Sequence, residues 1–416
     1  MTCHLRRDTA CKPPLYHGWL IVAGAFLVAA FGFGLGFYGP GIYLLALEAR
    51  HGWSAAELSL PITAYYVLGA ALLFFRVGAW FERCGARAVV TMGAVAMACG
   101  LALLSAVGRL WHVYAAFAVM SLGWATMSGA AIALIVAPWF ERRRGLAVGW
   151  GLNGGSAGGI VFAPLLTVLI ARLGFAIALD VAAAAMLAIL VPVAGLVLRR
   201  KRVGEADPAD GANVDRPPSA AAPSDWRRLT VLRSPAFLTI SVPFALGMIA
   251  QVGFLTHQMA FLAPRIGAEA AGWGISLTTA AAVLGRIATG CIVDRVDRRA
   301  VACINFLAQA LAMAILAIAA PQWALYLGCA LFGLGVGNVT LLPALIVQQE
   351  FPEHYFSRVV SLVVAINQFS FAFGPSLLGQ LQRAAGGYAL ALAACLVMQV
   401  TAALVVAWPR PRMAAG

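Results

Sequence analysis

Long apolar stretches dominate this chain, and their length limits how its backbone can fold. About 20 apolar residues coiled as an α-helix cross the roughly 30 Å of hydrocarbon in a bilayer. Inside that layer no water is available to peptide groups, so only helices and closed barrels satisfy their own backbone. The apolar runs predict twelve helical spans, at about 19–45, 54–80, 88–108, 111–138, 145–170, 174–198, 235–263, 271–293, 300–319, 322–347, 358–381 and 386–408. Hydrophobic residues make up 62% of the 416 positions and charged ones 11%, with a mean hydropathy of +0.88. A soluble domain carries roughly 25% charged residues and has nowhere to hide so much apolar surface. The expected fold class is therefore an all-α integral membrane protein.

A duplication organises the spans. Gly78-Ala-Trp-Phe-Glu82-Arg83-Cys-Gly85-Ala-Arg87 and Gly290-Cys-Ile-Val-Asp294-Arg295-Val-Asp297-Arg298-Arg299 lie 212 residues apart, each closing a long apolar helix. Trp111/Trp323, Tyr114/Tyr326 and Gly123/Gly335 keep that offset, and the two Ala-Leu-Ile-Val tetrads and Pro164/Pro375 keep one of 211. Matches in one order at nearly one offset indicate an internal repeat. Two pseudo-symmetric six-helix bundles follow, over 19–198 and 235–408. They are joined by a polar stretch at 199–234 that holds Glu205, Asp207, Asp210, Asp215 and Pro217-Pro218 between basic ends. That stretch lacks the apolar area to order itself and reads as a flexible tether.

Charge placement predicts orientation. Counting 1–18 and 409–416 as tails on the side of the even-numbered turns, 22 of the 29 basic residues fall on that side; Arg50, Arg109, Arg172, Arg265 and Arg383 fall on the other. Basic residues stay cytoplasmic, so both termini are expected there, in a multi-pass protein of the cell inner membrane with no cleaved signal segment. The net charge of +13 then faces anionic lipid, and no basic cluster interleaved with aromatics suggests nucleic acid. The eight cysteines are scattered, form no CxxC pair and read as small core hydrophobes, with no metal site.

The six-plus-six arrangement, the tether and a G-x-x-x-D/E-R-x-G/D-x-R turn after the second and eighth spans resemble the major facilitator superfamily of secondary transporters over nearly the whole chain. In that family the turn implies a conformational charge lock, here Gly78, Glu82, Arg83 and Arg87 with Gly290, Asp294, Arg295 and Arg298. Its glycine lets helices approach, while the acid caps a helix and pairs with arginine. Glu82 stands where the family usually has aspartate, and Asp297 where it usually has a second glycine. A narrower resemblance is to the monocarboxylate transporter and oxalate/formate exchanger branch. It rests on Tyr16-His-Gly-Trp19, Gly52-Trp53-Ser54, Pro138-Trp139-Phe140 followed by Arg142 to Arg144, Thr256-His257 and Gly285-Arg286. This branch implies a small organic anion carried by alternating access, driven by proton symport or anion exchange. The cavity would lie at the midplane between the halves. Drug and sugar carriers share the architecture, as do transporter-like sensors.

Arg286 is the most informative single residue. Among the basic residues only Arg76 and Arg286 lie inside spans, with Arg286 expected near the middle of the eighth. Arginine keeps its charge, and even low estimates put it at about 2.5–3.5 kcal/mol at a bilayer centre, so it needs a wet cavity or an anion. Gln251, His257, Asn153, Asn338, Asn367 and Gln368 are polar residues within spans, suited either to line that cavity or to bond helices together. His257 also suits a coupling proton, because imidazole titrates near neutral pH. Trp124 narrows the cavity or fills the core. The six glycines from Gly149 to Gly159 together with Pro164 suit close packing or a bendable fifth helix. An enzyme is not expected: HExxH, GxSxG and paired intramembrane carboxylates are missing. No cofactor or ATP motif is present either, and a monomer in the lipid bilayer suffices for this reading.

Overall fold

The computed structural model describes residues 17–140, 143–199, 228–293, 295–318 and 321–408. Among these, eleven helical segments are long and apolar enough to cross a membrane. In chain order they are α1 (His17–His51), α2 and α3 (together Ala55–Ser105, parted at Gly85), α4 (Leu110–Trp139), α5 (Arg144–Leu173), α6 (Phe175–Leu196), α7 (Pro235–Ile266), α8 (Ala268–Ile292), α9 (Arg298–Ile318), α10 (Gln322–Glu350), α11 (Arg358–Ala385) and α12 (Ala389–Val406). The 51-residue segment holds two spans because Gly85 takes φ 81°, ψ 164°, a left-handed conformation that a side chain disfavours. In the second copy of the repeat Asp297 occupies the same place and solves the turn differently. Its carboxylate accepts the Arg299 N–H at 2.8 Å and caps α9. The tether, apart from Arg199 and residues 228–234, residues 1–16 and 409–416 of the tails, and Asp294 lie outside the described residues.

Each half is closed by glycines set against backbone. A Cβ at Gly154 or Gly158 would fall 2.0 Å from the Phe26 carbonyl oxygen or 2.2 Å from that of Ala30, so α5 lies directly on α1. The related pair in the second half, α11 on α7, closes through Gly374 and Gly253, with a Cβ at Gly374 placed 2.5 Å from the Ile249 oxygen. Gly123 meets Met97 and Gly93 of α3, and Gly335, 212 positions later, meets Gln309 of α9. Small residues give transmembrane helices this approach, since lipid supplies no hydrophobic drive to bring them together. Packing accounts for Gly151, Gly154, Gly155 and Gly158, whereas Gly149 faces open space. The second half adds amide pairs: Asn338 donates to Asn305 at 3.0 Å and Gln399 to Gln309 at 3.2 Å, tying α9 to α10 and α12.

The halves meet at the end of the bundle distal to His17 and Val406. There a Cβ at Gly379 of α11 would meet Ser59 and Ala56 of α2, one at Gly41 of α1 the Thr256 carbonyl of α7, and one at Gly272 of α8 Pro164 and Thr167 of α5. At the proximal end, Gly78, Gly145, Gly149 and Gly290 have nothing within 4 Å of a Cβ. The close approach expected of Gly78 and Gly290 is therefore not made in this conformation, where both glycines face open space. The cysteines also depart from expectation. Cys329 and Cys395 are buried, but Cys84, Cys99 and Cys291 are exposed. A surface that meets lipid accepts a small apolar side chain as readily as the core does.

Gly158→Ala should lower the stability of the purified protein by about 1–3 kcal/mol, because its methyl group overlaps the α1 backbone. Gly149→Ala, pointing into open space, should leave the melting temperature in detergent unchanged. Equal melting temperatures for the two variants would contradict this packing.

Candidate functional site

The first span does not run as a uniform α-helix. Residues Gly34–Tyr38 form a π-helical turn, which widens the helix and displaces its usual hydrogen bonds. Three tyrosines bond the local carbonyls: Tyr65 donates to Gly36 at 2.8 Å, Tyr66 to Phe37 at 3.4 Å and Tyr43 to Leu35 at 3.1 Å. The turn aims Phe33 and Phe37 at Trp124 of α4, with ring centroids 5.1 and 5.8 Å away, the Phe37 ring stacked at 17°. Tyr66 lies 6.0 Å from Trp124 and, across the seam between halves, 5.3 Å from Phe371 of α11. A narrow cleft opens here, lined by Tyr66, Gly69, Ala70, Leu73, Trp124, Ala125, Ser128, Gln368 and Phe371.

Arg286 stands on the opposite side of the seam. Gly285 makes its position possible, since a Cβ there would fall 2.0 Å from the Leu334 oxygen, so α8 lies against α10 just before α10 breaks at Gly337. The Arg286 side chain passes over that break, 3.1 Å from where a Gly337 Cβ would be. Its guanidinium donates to Asn153 Oδ1 of α5 at 3.5 Å and is within electrostatic reach of Tyr38. Among the described residues no carboxylate pairs with it; Asp180 instead accepts a bond from Ser105 at 2.9 Å. Arg286 is half-buried and lies six residues before the end of α8. It therefore sits about 9 Å in from the proximal end and not at the expected midpoint. Beyond it toward that end, Gly149 and Gly290 face open space, so Arg286 borders the opening between the halves.

The other residues singled out from sequence separate into groups. Gln251 donates to the Val336 carbonyl at 3.4 Å, beside the same α10 break, and its Oε1 has no partner. Gln368 and Trp124 share the cleft. Asn367 is buried with an unpartnered Oδ1, while Asn338 turns back onto Asn305 within the second half. His257 is fully buried at the distal closure. The Ser59 hydroxyl donates to Ala55 at 2.6 Å and so accepts from His257 Nε2, 3.1 Å away, which also points at the Pro375 carbonyl at 2.9 Å. Nδ1 is then left to accept the Tyr388 hydroxyl at 3.0 Å. Burial, and secondarily Glu48, holds that phenol above its ordinary range, against the opposing pull of Arg265, so it is a neutral donor.

At the proximal end, Glu82, Arg83, Arg87 and Arg295 are exposed. Arg298 bonds the Leu345 carbonyl and, at 3.3 Å, Gln348. An ion pair at this end joins Arg299 to Glu350, which the motif alone did not single out; Arg299 Nη2 donates to Glu350 Oε2 at 2.7 Å, and Nη1 to the Val406 carbonyl at 2.9 Å. Two other sequence motifs turn out to be one cluster, with His17 packed 5.3 Å from Trp139, Trp19 5.2 Å from Phe140, and Arg199 over the Trp139 ring. Sequence reading missed Phe33, Phe37, Tyr38 and Tyr66. The alternation of aromatic residues and glycine from Phe31 to Tyr43 was the only signal for the first three, and Tyr66 had none.

A sequence profile of the Major Facilitator Superfamily matches residues 24–375 and, in a second alignment, 258–415. The chain belongs to the Major Facilitator Superfamily. It is similar to the MFS transporter asaE of Aspergillus flavus, 26% identical over 341 residues that cover 79% of this chain and 72% of that one. Monocarboxylate transporter 11 of Mus musculus is 31% identical over 291 residues, 67% of this chain and 60% of that one. The fold matches the crystal structure of a bacterial homolog of the human lysosomal transporter Spinster, inward-facing and occupied. The TM-score is 0.72 at 14% identity, over 94% of this chain and 96% of that one. This facilitator is thus a membrane transporter and not an enzyme.

Replacing His257 by Ala removes neutral bonds that join α2, α7 and α11, worth about 1–2 kcal/mol together. With cysteines placed at Ala56 and Gly379, which are neighbours across the closed end, the crosslinking yield should fall in the His257→Ala background. An unchanged yield would mean that the closure does not depend on the imidazole.

Proposed function

We propose that this facilitator is a secondary carrier that moves a small organic anion, a carboxylate, by alternating access, with Arg286 as the anion's counter-ion. The observation that carries this reading is a half-buried guanidinium beside the opening, bonded to one neutral amide at 3.5 Å and to no carboxylate among the described residues. A cation so placed is stabilised by an anionic guest, and its planar fork suits a carboxylate. Similarity to monocarboxylate transporter 11 points the same way. With both termini in the cytoplasm of the cell inner membrane, as the basic residues suggest, this conformation is open inward. Gln251, Asn153 and Tyr38 lie beside Arg286 and complete the anion end, while Glu82 and the arginines of the two repeated turns tune the balance between states. Transport runs on proton symport or on exchange of anions.

Arg286→Lys keeps the charge and loses the fork, so carboxylate binding should weaken. Arg286→Gln should lower affinity by roughly 10- to 150-fold, the equivalent of about 1.5–3 kcal/mol for a charge-assisted bond. Titration of folded, membrane-inserted variants decides the matter: parent-like affinity in Arg286→Gln would make the residue structural. Counterflow in proteoliposomes with and without a pH gradient separates symport from exchange.

A further inference from the structure

The walls that face each other across the seam differ in chemistry, and the difference bears on the substrate's body. On the side of the first half, Phe33 and Phe37 are half-exposed and packed on Trp124. Tyr66 closes the wall with its ring, because its hydroxyl, like that of Tyr65, is bonded to the α1 backbone. Tyr65 and Tyr66 are themselves buried and their hydroxyls are spent on the backbone, so Phe33 and Phe37 supply the exposed ring surface. Phe37 is followed in the chain by Tyr38, whose ring lies 5.2 Å from that of Phe37 and which is within electrostatic reach of Arg286. The aromatic wall and the cation are therefore joined by two consecutive residues. Among the described residues Arg286 is the cation that borders the site, and Arg76, the other arginine set well inside an apolar run, is exposed.

We infer that the substrate is a monocarboxylate with a flat apolar body, an aryl-substituted acid, whose carboxylate meets Arg286 while its ring lies against Phe33, Phe37 and Trp124. This rests on the carboxylate reading above and sharpens it. Aromatic faces favour offset or edge-on contact with another ring, a gain beyond the burial of area alone. A sugar acid or a hydroxylated polycarboxylate would leave its hydroxyls unpaired against these rings and its further charges without a cation, both costly where water is excluded. The wall is pre-organised, because the π-helical turn and the tyrosine bonds hold Phe37 in place before any ligand arrives, which reduces what binding must order.

The test is a set of titrations with acetate, benzoate, phenylacetate, 3-phenylpropionate and cyclohexylacetate, on parent protein and variants in nanodiscs. At least one aryl acid should bind about tenfold or more tightly than acetate and ahead of cyclohexylacetate. In Trp124→Leu the aryl-to-acetate affinity ratio should fall toward one, and Phe37→Leu provides the same readout should Trp124→Leu fail to fold. Arg286→Gln should weaken every acid in the set. Ratios near one in the parent, or an aryl preference that survives in the folded variants, would overturn the aromatic assignment while leaving carboxylate transport standing. Failure of every acid to bind the parent would overturn both.

Discussion

A peptide group inside hydrocarbon must find its hydrogen bond within the protein, and much of this molecule follows from that requirement. It makes the chain helical, and it makes any departure from regular helix demand a donor from a neighbour. The π-helical turn at Gly34–Tyr38 is such a departure, and hydroxyls of Tyr43, Tyr65 and Tyr66 bond its carbonyls. The same bonds consume the polarity of those tyrosines. A backbone requirement in α1 thereby determines the chemistry of a wall in the cleft.

The duplication supplies two similar scaffolds that carry different equipment. Gly123 and Gly335 perform the same packing in their own halves, as do the glycines that seat α5 on α1 and α11 on α7. The aromatic wall belongs to the first half, whereas the arginine and the buried amide pairs belong to the second. Because each half is closed by its own backbone contacts, a rocking motion between them changes what Arg286 faces without dismantling either wall.

Bond strength is distributed in keeping with such a motion. Across the distal seam, the contacts of His257 with Ser59 and of the Ser376 N–H with Thr63 are neutral. Interhelical bonds of this kind in membranes are worth about 0.6 kcal/mol on average, so a closure built from a few of them can open and reform. The ion pair of Arg299 with Glu350 lies within one half, where it can persist while the seam opens. The pair is partly shielded from solvent, and a contact inside one half need not break during the cycle.

Sequence alone determined what depends on composition and period. Runs of about 20 apolar residues have one stable form in lipid, so the helical class followed directly, and the 212-residue offset divided the spans into two related bundles. An arginine among apolar residues is conspicuous in any order, which is why Arg286 stood out. Tertiary structure decided which polar residues share a space. Asn153 and Arg286 are 133 positions apart and meet only because α5 and α8 pack side by side across the seam. His257 and Gln251, six residues apart on one helix, end up respectively inside the distal closure and beside the α10 break. The aromatic wall was also beyond sequence, because phenylalanine and tyrosine in an apolar run look the same whether they fill a core, meet lipid or line a cleft. Which of these they do depends on helix rotation and on a π-helical turn, and both are set by the neighbours that close packing brings against them.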